Sequence, residues 1–305
     1  MSGGNDGVTL ASTSARSRAL PPLAAIALLT IAVGATPLVL GAGVAGTVAH
    51  GLVSFERTDG RLVFVDAVLS SLAIVLSLSR RGLPTSLTMA LTGSLVGAGF
   101  GAGLPTRWAT IGAVVVSGVL APVVSLALAL ALARPLRALL GGGSERRRRA
   151  RLAQLSAFAG QCVAYGANDA QKLPALLALA SGPAAVASLH AQVTGQLLLA
   201  VAFAAGALAH LRRVSARVAG QMARAGDAGT LSALVAATAA VLGGSALRMP
   251  LSSTQATTAG LLGGSARLEP WRVRWDEVRS IALAWATTLP SAFGLALLGG
   301  LFCRR

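Results

Sequence analysis

Long apolar runs separated by short polar stretches dominate this chain of 305 residues. Most of the runs approach or exceed the roughly 20 residues that an α-helix needs to cross a bilayer. They are continuous, unlike the alternating segments of about ten residues that form membrane barrels. The pattern therefore predicts an all-α polytopic membrane protein. The runs cover residues 21–50, 62–79, 84–104, 107–133, 152–181, 183–211, 229–247, 250–264 and 277–302.

Composition agrees with this prediction. Hydrophobic residues make up 54% of the chain and charged residues only 12%, whereas about a quarter of a soluble domain is charged. The net charge of +16 is mostly arginine in the connections, which is typical of loops retained on the inner side of a membrane. Nucleic-acid binding is not expected, because the basic residues do not alternate with aromatic ones. The two cysteines show no disulfide, zinc or redox spacing, so we expect no metal and no cofactor.

The polar stretches divide the chain into four parts. Residues 1–20 are rich in Ser, Thr and Gly, which predicts a disordered N-terminal tail, and the Asn5-Asp6 pair within it is assigned no role. Residues 21–133 and 152–305 are predicted to form two membrane repeats. The arginine-rich stretch 134–151 between them contains three consecutive glycines and is predicted to be a flexible cytoplasmic linker. An alternative is that its arginines attract anionic lipid or an acidic partner.

Two segments on either side of this linker resemble each other, GLPTSLTMALTGSLVGAG at 82–99 and RMPLSSTQATTAGLLGGS at 248–265. With a one-residue gap the match continues to Trp108 and Trp275. If the arginine-rich connections lie inside, the two copies cross the membrane in opposite directions. We therefore predict two inverted-topology repeats with broken helices or re-entrant segments, as in secondary transporters. The pattern leaves open how often 21–50 and 152–181 cross.

Both copies place hydroxyl residues within two positions after a proline, Pro84 or Pro250. Proline suits the first turn of a helix, and the free N–H groups of a helix start attract anions. An alternative is that the hydroxyls only cap their helices or bond to the preceding turn. The candidate anion-binding residues are Thr85, Ser86, Thr88, Ser252, Ser253 and Thr254.

The apolar run 152–181 contains four neighbouring polar residues, Asn168, Asp169, Gln171 and Lys172. Ionisable residues are costly inside a bilayer and usually mark a pathway or a binding site. Asp169 with the Asn168 carbonyl could bind Na⁺ or carry H⁺, while Gln171 and Lys172 could meet an anion. An alternative is a neutralised structural Asp–Lys pair. No P-loop and no nucleophile–base arrangement is present, so we expect neither an ATP-driven pump nor an enzyme.

The sequence GANDAQK at 166–172, together with Pro-x-Ser-x-Thr at 84–88 and 250–254, resembles the inorganic phosphate transporter (PiT) family. That resemblance implies phosphate symport with Na⁺ or H⁺ by alternating access, in a multi-pass protein of the cell membrane. It also implies a homodimer and a possible PhoU-like accessory protein. Sulfate or another oxyanion is the alternative substrate.

The sequence departs from the family in the first repeat. Each half of the family carries an Asn-Asp pair, but alignment on the Gly-Ala that precedes it puts Thr36 and Pro37 at these positions. The histidine that follows the Ser-Thr pattern is replaced by Met89 and Gln255. The first-half acid is therefore expected to be missing. This favours, as a further alternative, a degenerate membrane homologue that does not transport.

Overall fold

A computed structural model of the chain describes residues 2–16, 20–41, 43–55, 60–81, 85–181, 189–221 and 226–303. In these ranges the backbone is mainly helical, and β-structure is limited to one bridge between Val53 and Thr106. The helices are α1 Val8–Arg16, α2 Pro22–Leu40, α3 Gly43–His50, α4 Gly60–Arg80, α5 Leu87–Gly101, α6 Trp108–Leu140, α7 Gly143–Ser181, α8 Leu189–Gln221, α9 Asp227–Ala246, α10 Ser253–Leu268 and α11 Trp275–Cys303. A π-helical turn, Gly3–Gly7, precedes α1, and a 3₁₀ turn, Pro270–Arg272, precedes α11.

Six of the described helices are long and apolar enough to cross a membrane. They are α2, α4, α6, α9, α11 and the part of α8 from His190 to Leu211. Large apolar side chains on their outer faces are exposed, including Ile31, Leu198 and Leu283, as expected where lipid rather than protein covers a helix. The prediction of an all-α, multi-pass membrane protein is confirmed.

The two repeats interlock through their glycine-bearing helices. Helix α5 packs along α11 of the second repeat, and α10 packs along α6 of the first. A Cβ atom on Gly97 would collide with the carbonyl of Phe293, and one on Gly263 would collide with that of Leu126. These two contacts are equivalent under the sequence match. Small residues let helices approach this closely in membranes, so the predicted inverted repeats are present and packed against each other.

The sequence left open how often the apolar runs 21–50 and 152–181 cross the membrane, and the two runs differ in structure. The run 21–50 is broken at Gly41, whose φ of 82° separates α2 from α3. The run 152–181 lies within a single helix, α7, that contains Pro174. No hairpin is therefore formed in the second of these runs.

The stretch 134–151 is not the flexible linker that its glycines suggested. Helix α6 continues to Leu140 and α7 begins at Gly143, so the two helices meet at a tight turn. The φ of 68° at Gly141 provides this turn. Buried Leu140 and Ala150 pack below it against Leu231 of α9. The arginines are therefore carried on two helix ends.

The prediction of disorder for residues 1–20 is wrong for the described part, 2–16. The π-helical turn and α1 pack against α8, and Val8 and Leu10 are fully buried. A Cβ atom on Gly3 would collide with the Phe203 carbonyl of α8. The small Gly, Ser and Thr residues that resembled a disordered tail are those that allow close helix packing inside a membrane protein. Pro84 lies outside the described residues.

Candidate functional site

Four polar side chains of α7 lie inside the protein: Asn168, Asp169, Gln171 and Lys172 are all buried. Buried polar groups require partners, and here most of the partners come from the starts of α3, α5 and α10, with one more from the end of α9. These helix starts belong to both repeats. The middle of α7 is therefore the place where the repeats meet.

Asn168 positions the segment that leads into α10. Its amide nitrogen donates to the Met249 carbonyl at 2.9 Å and to the Ser245 hydroxyl at 3.0 Å. Its amide oxygen accepts from the backbone nitrogen of Leu251 at 2.8 Å. Both ends of the amide thus hold the chain on either side of Pro250. This directs the N-terminus of α10 toward α7.

Asp169 joins the two hydroxyl segments. One carboxylate oxygen accepts from the backbone nitrogen of Ser253 at 3.3 Å and from its hydroxyl. The other lies 2.7 Å from the ammonium of Lys172 and 3.4 Å from the hydroxyl of Thr88. Ser253 begins α10 and Thr88 lies in the first turn of α5. The carboxylate therefore touches the matched helix starts of both repeats.

Lys172 uses its ammonium group within the same cluster. Its nitrogen lies 2.6 Å from the Thr88 hydroxyl and contacts the carbonyl of Leu251 as well as Asp169. An ammonium has three donors, and all three have partners here. The Thr88 hydroxyl in turn donates to the Leu251 carbonyl at 2.8 Å. Lysine and aspartate thus form a compensated charge pair, the arrangement that keeps buried ions tolerable.

Three of the predicted anion-binding hydroxyls act mainly at helix ends. Ser86 accepts from the Met89 nitrogen at 3.1 Å and caps α5. Ser252 accepts from the Gln255 nitrogen at 3.4 Å and caps α10. The hydroxyl of Thr254 lies 3.0 Å from that of Ser252. The capping alternative thus describes the contacts of Ser86 and Ser252, whereas Thr88 and Ser253 face Asp169.

Gln171 holds a different helix. Its amide oxygen accepts from the backbone nitrogens of Val44 at 2.9 Å and Ala45 at 3.3 Å. These are free N–H groups at the start of α3, which a helix leaves without internal partners. Gln171 therefore anchors α3 to α7, next to the cluster formed by Asp169 and Lys172.

A second Asn-Asp pair stands at the equivalent place in the first repeat. The amide nitrogen of Asn5 donates to the Thr85 carbonyl at 3.0 Å, and the Thr85 hydroxyl donates to the Asn5 oxygen at 3.2 Å. Thr85 matches Leu251 in the repeat alignment. Asn5 therefore holds the segment before α5 as Asn168 holds the segment before α10. The prediction that the first-half acid is missing is wrong.

The alignment failed because it matched the wrong segment. Thr36 lies in the middle of α2, where its side chain packs at the position that a Cβ atom on Gly166 would occupy. It thus faces the Gly-Ala-Asn-Asp segment and does not correspond to it. The signal that identifies the true pair is the spacing Gly3-Gly4-Asn5-Asp6, which repeats the Gly-x-Asn-Asp order of Gly166–Asp169.

Asp6 is buried among neutral polar groups. Its carboxylate accepts from the Asn5 amide at 2.9 Å and lies 3.4 Å from the hydroxyls of Ser2 and Tyr165. Those two hydroxyls are 2.6 Å apart. In the described part of the chain, no basic nitrogen lies within 4.0 Å of this carboxylate. Asp169 and Lys172 are nevertheless near enough for their charges to act on Asp6.

Comparisons with known proteins find matches to the sequence and to the fold of this chain. A family model described as "Phosphate transporter family" matches residues 2–157 and again residues 142–296. The first match includes Asn5 and Asp6. A solved structure titled "The sodium-dependent phosphate transporter" is 16% identical to this chain, with a TM-score of 0.83 over 98% of this chain and 94% of that chain. A search of curated proteins found no match.

Proposed function

Because the chain belongs to the phosphate transporter family, we propose that it carries inorganic phosphate across the membrane as a secondary transporter. The observation that carries this proposal is the buried position of Asp169, in contact with Thr88 of α5 and Ser253 of α10. A carboxylate, an ammonium and two helix starts from inverted repeats are the elements that a coupled anion site needs.

Phosphate would bind at the two helix starts. The first N–H groups of α5 and α10, the hydroxyls of Thr88 and Ser253, and the ammonium of Lys172 can all donate to its oxygens. Lys172 now donates to Thr88, Asp169 and Leu251. It must exchange at least one of these partners to reach phosphate.

This exchange suggests how the cation is coupled. When Lys172 turns toward phosphate, the Asp169 carboxylate loses its counter-charge inside a membrane protein, where an unpaired charge is costly. A Na⁺ or H⁺ bound by Asp169, with the Asn168 carbonyl beside it, restores the balance. Each substrate then favours binding of the other, which is the thermodynamic requirement for symport.

Asp6 is a second candidate for the coupling cation. Its oxygens accept from the neutral amide of Asn5 and lie near the hydroxyls of Ser2 and Tyr165. Its presence supports transport over the alternative of a degenerate homologue, since both repeats retain an acid beside the segment that begins α5 or α10. Alternating access would then move the paired helices α5–α11 and α10–α6 about this central cluster.

The cellular setting follows from the family resemblance. We propose a multi-pass location in the cell membrane and a homodimer, with a PhoU-like accessory protein as a possible partner. Crosslinking in native membranes tests the dimer. A product of two copies of this chain is expected, and crosslinks to unrelated proteins alone would contradict the dimer.

Uptake of labelled phosphate tests the transport proposal. Cells that lack phosphate transport should take up phosphate when they express this chain and should not when they express Asp169→Asn. Asp276→Asn is the matched control, since Asp276 is exposed at the start of α11. A wild-type signal equal to that of the empty vector, at normal expression, rejects the proposal.

The same assay identifies the ions. Replacing Na⁺ by choline at constant pH stops uptake if Na⁺ is the coupling ion, whereas collapsing the pH gradient stops it if H⁺ is. An excess of sulfate should leave phosphate uptake unchanged. Competition by sulfate as strong as by unlabelled phosphate would favour a general oxyanion transporter.

A further inference from the structure

A pocket of 510 Å³ lies at the ends of α6 and α10, away from the Asp169 cluster. Its walls are Arg134, Arg137, Ala138 and Gly141 from α6 and the turn after it, and Arg267 and Leu268 from α10. Three arginines from two different helices therefore face one open cavity. Leu268 belongs to the small apolar cluster under the α6–α7 turn, so the pocket has a packed floor.

The three arginines carry positive charge that the described part of the chain does not pair with an acid. In the described ranges, no carboxylate oxygen lies within 4.0 Å of Arg134, Arg137 or Arg267. The nearby acids have other partners, because Glu269 pairs with Arg272 at 3.1 Å and Glu277 pairs with Arg274 at 2.6 Å. Three positive charges thus face the pocket.

The surroundings place this pocket at the membrane–water boundary. Trp271, only four residues after Arg267, is 77% exposed, and Trp275 is 56% exposed. Exposed tryptophans concentrate at the level of lipid headgroups. Leu139 on α6 is also exposed, which offers an apolar surface beside the charged pocket. An occupant with a charged head and an apolar tail fits both surfaces.

We propose that this pocket binds the phosphate-bearing headgroup of an anionic phospholipid. Arginine forks match phosphate oxygens in a bidentate geometry, and basic pockets between membrane helices bind anionic headgroups. The acyl chains would lie along the exposed apolar face of α6. This site is separate from the proposed transport site and does not depend on it.

Lipid retention on the purified protein tests the proposal without any transport assay. The pocket variant combines Arg134→Gln, Arg137→Gln and Arg267→Gln. The matched control combines Arg146→Gln, Arg147→Gln and Arg148→Gln, which removes the same charge from the neighbouring start of α7. Native mass spectrometry from mixed nanodiscs would count bound phosphatidylglycerol against phosphatidylcholine.

The wild type and the control should retain phosphatidylglycerol, and the pocket variant should lose it. Each arginine near anionic lipid changes affinity by about five-fold, so the three together predict a loss of about 100-fold. Equal loss in pocket variant and control, or no preference of the wild type for the anionic lipid, overturns the proposal.

A second arm separates lipid from free phosphate. Inorganic phosphate in large molar excess over the lipid should not displace the bound phosphatidylglycerol. Displacement would assign the pocket to a free anion and would also overturn the proposal. If the triple variant does not fold, the single variant Arg267→Glu replaces it. Its negative charge repels the negative headgroup, so it must give the same loss of lipid.

Discussion

Asn5–Asp6 and Asn168–Asp169 occupy equivalent places in the two repeats, but their acids have different neighbours. In both, the asparagine holds the extended segment that begins a helix, α5 or α10. Asp169 also pairs with a lysine and a serine hydroxyl, whereas Asp6 is surrounded by an amide and two hydroxyls. The positions are equivalent in geometry and unequal in charge.

Two substitutions between the repeats account for this difference. The residue three positions after the acid is Lys172 in one copy and Thr9 in the other, and Thr9 donates instead to the Asn5 carbonyl at 2.7 Å. The residue matching Ser253 is Leu87, which offers no hydroxyl. The asparagines are thus retained to position helices, while the surroundings of the acids have diverged. We expect Asp169 to contribute more to the stability of the fold than Asp6, and both acids to act in binding.

The largest effect is expected from Asp169→Asn. It leaves the Lys172 ammonium buried beside a neutral amide, and breaking a buried ion pair on one side costs about 3–5 kcal/mol. Phosphate uptake should disappear and the unfolding temperature should fall. Both are measurable on one preparation, by uptake in proteoliposomes and thermal unfolding in detergent. Asp276→Asn should change neither, and normal uptake by Asp169→Asn would contradict the proposed site.

Asp6→Asn should separate transport from stability. The Lys172 ammonium keeps its Asp169 partner, so the free energy of unfolding should fall by less than for Asp169→Asn, by about 1–3 kcal/mol for a buried donor that loses its acceptor. Uptake should nevertheless fall by about ten-fold or more, which corresponds to about 1.4 kcal/mol of lost cation binding. The measurement is the cation dependence of uptake in the same proteoliposomes. If uptake by Asp6→Asn and by the wild type depends on the cation in the same way, Asp6 has no part in coupling.

The double variant Asp169→Asn with Lys172→Met tests whether charge compensation explains the stability of the second copy. Removing both charges should restore about 1–3 kcal/mol relative to Asp169→Asn alone, as for other directly coupled residues. Uptake should remain absent. Thermal unfolding of the two single variants and the double variant completes the cycle. Strictly additive losses of stability would show that the pair is not coupled.

The smallest effect is expected from Thr85→Val, which removes one hydroxyl with little change of shape. The bond to Asn5 is neutral, so the loss should be about 0.5–1.5 kcal/mol of stability. Thr287→Val is the control, because the Thr287 hydroxyl bonds within its own exposed helix turn. Thermal unfolding of both variants measures the difference. If Thr85→Val loses no more stability than Thr287→Val, Asn5 does not need the Thr85 hydroxyl as a partner.

Hydropathy and internal similarity predicted most of the architecture from the sequence. The apolar runs correspond to helices, and the match between 82–99 and 248–265 identified α5 and α10 as equivalent. A costly acid and matched hydroxyls indicate a site at Asp169, Thr88 and Ser253, and the structure brings these three together. Their binding roles stay predictions until uptake is measured.

The N-terminal segment could not be predicted in the same way. Averages of hydropathy treat Ser, Thr and Gly as signs of disorder, yet Thr13 and Ser12 are buried in the helix that follows Asp6. Their contribution depends on close contact with α8, which lies about 190 residues later in the chain. The capping roles of Ser86 and Ser252 also depend on where each helix begins, and residue type alone does not distinguish a cap from a ligand.

The packing of helices of one repeat against helices of the other has a consequence for biosynthesis. While the ribosome still synthesises the second half, α5 and α6 already stand in the bilayer without α11 and α10, against which they finally pack. Their glycine faces must remain unoccupied, or protected by the insertion machinery, until the last helix is inserted. Halves expressed as separate polypeptides should therefore be degraded alone and accumulate only when they are produced together.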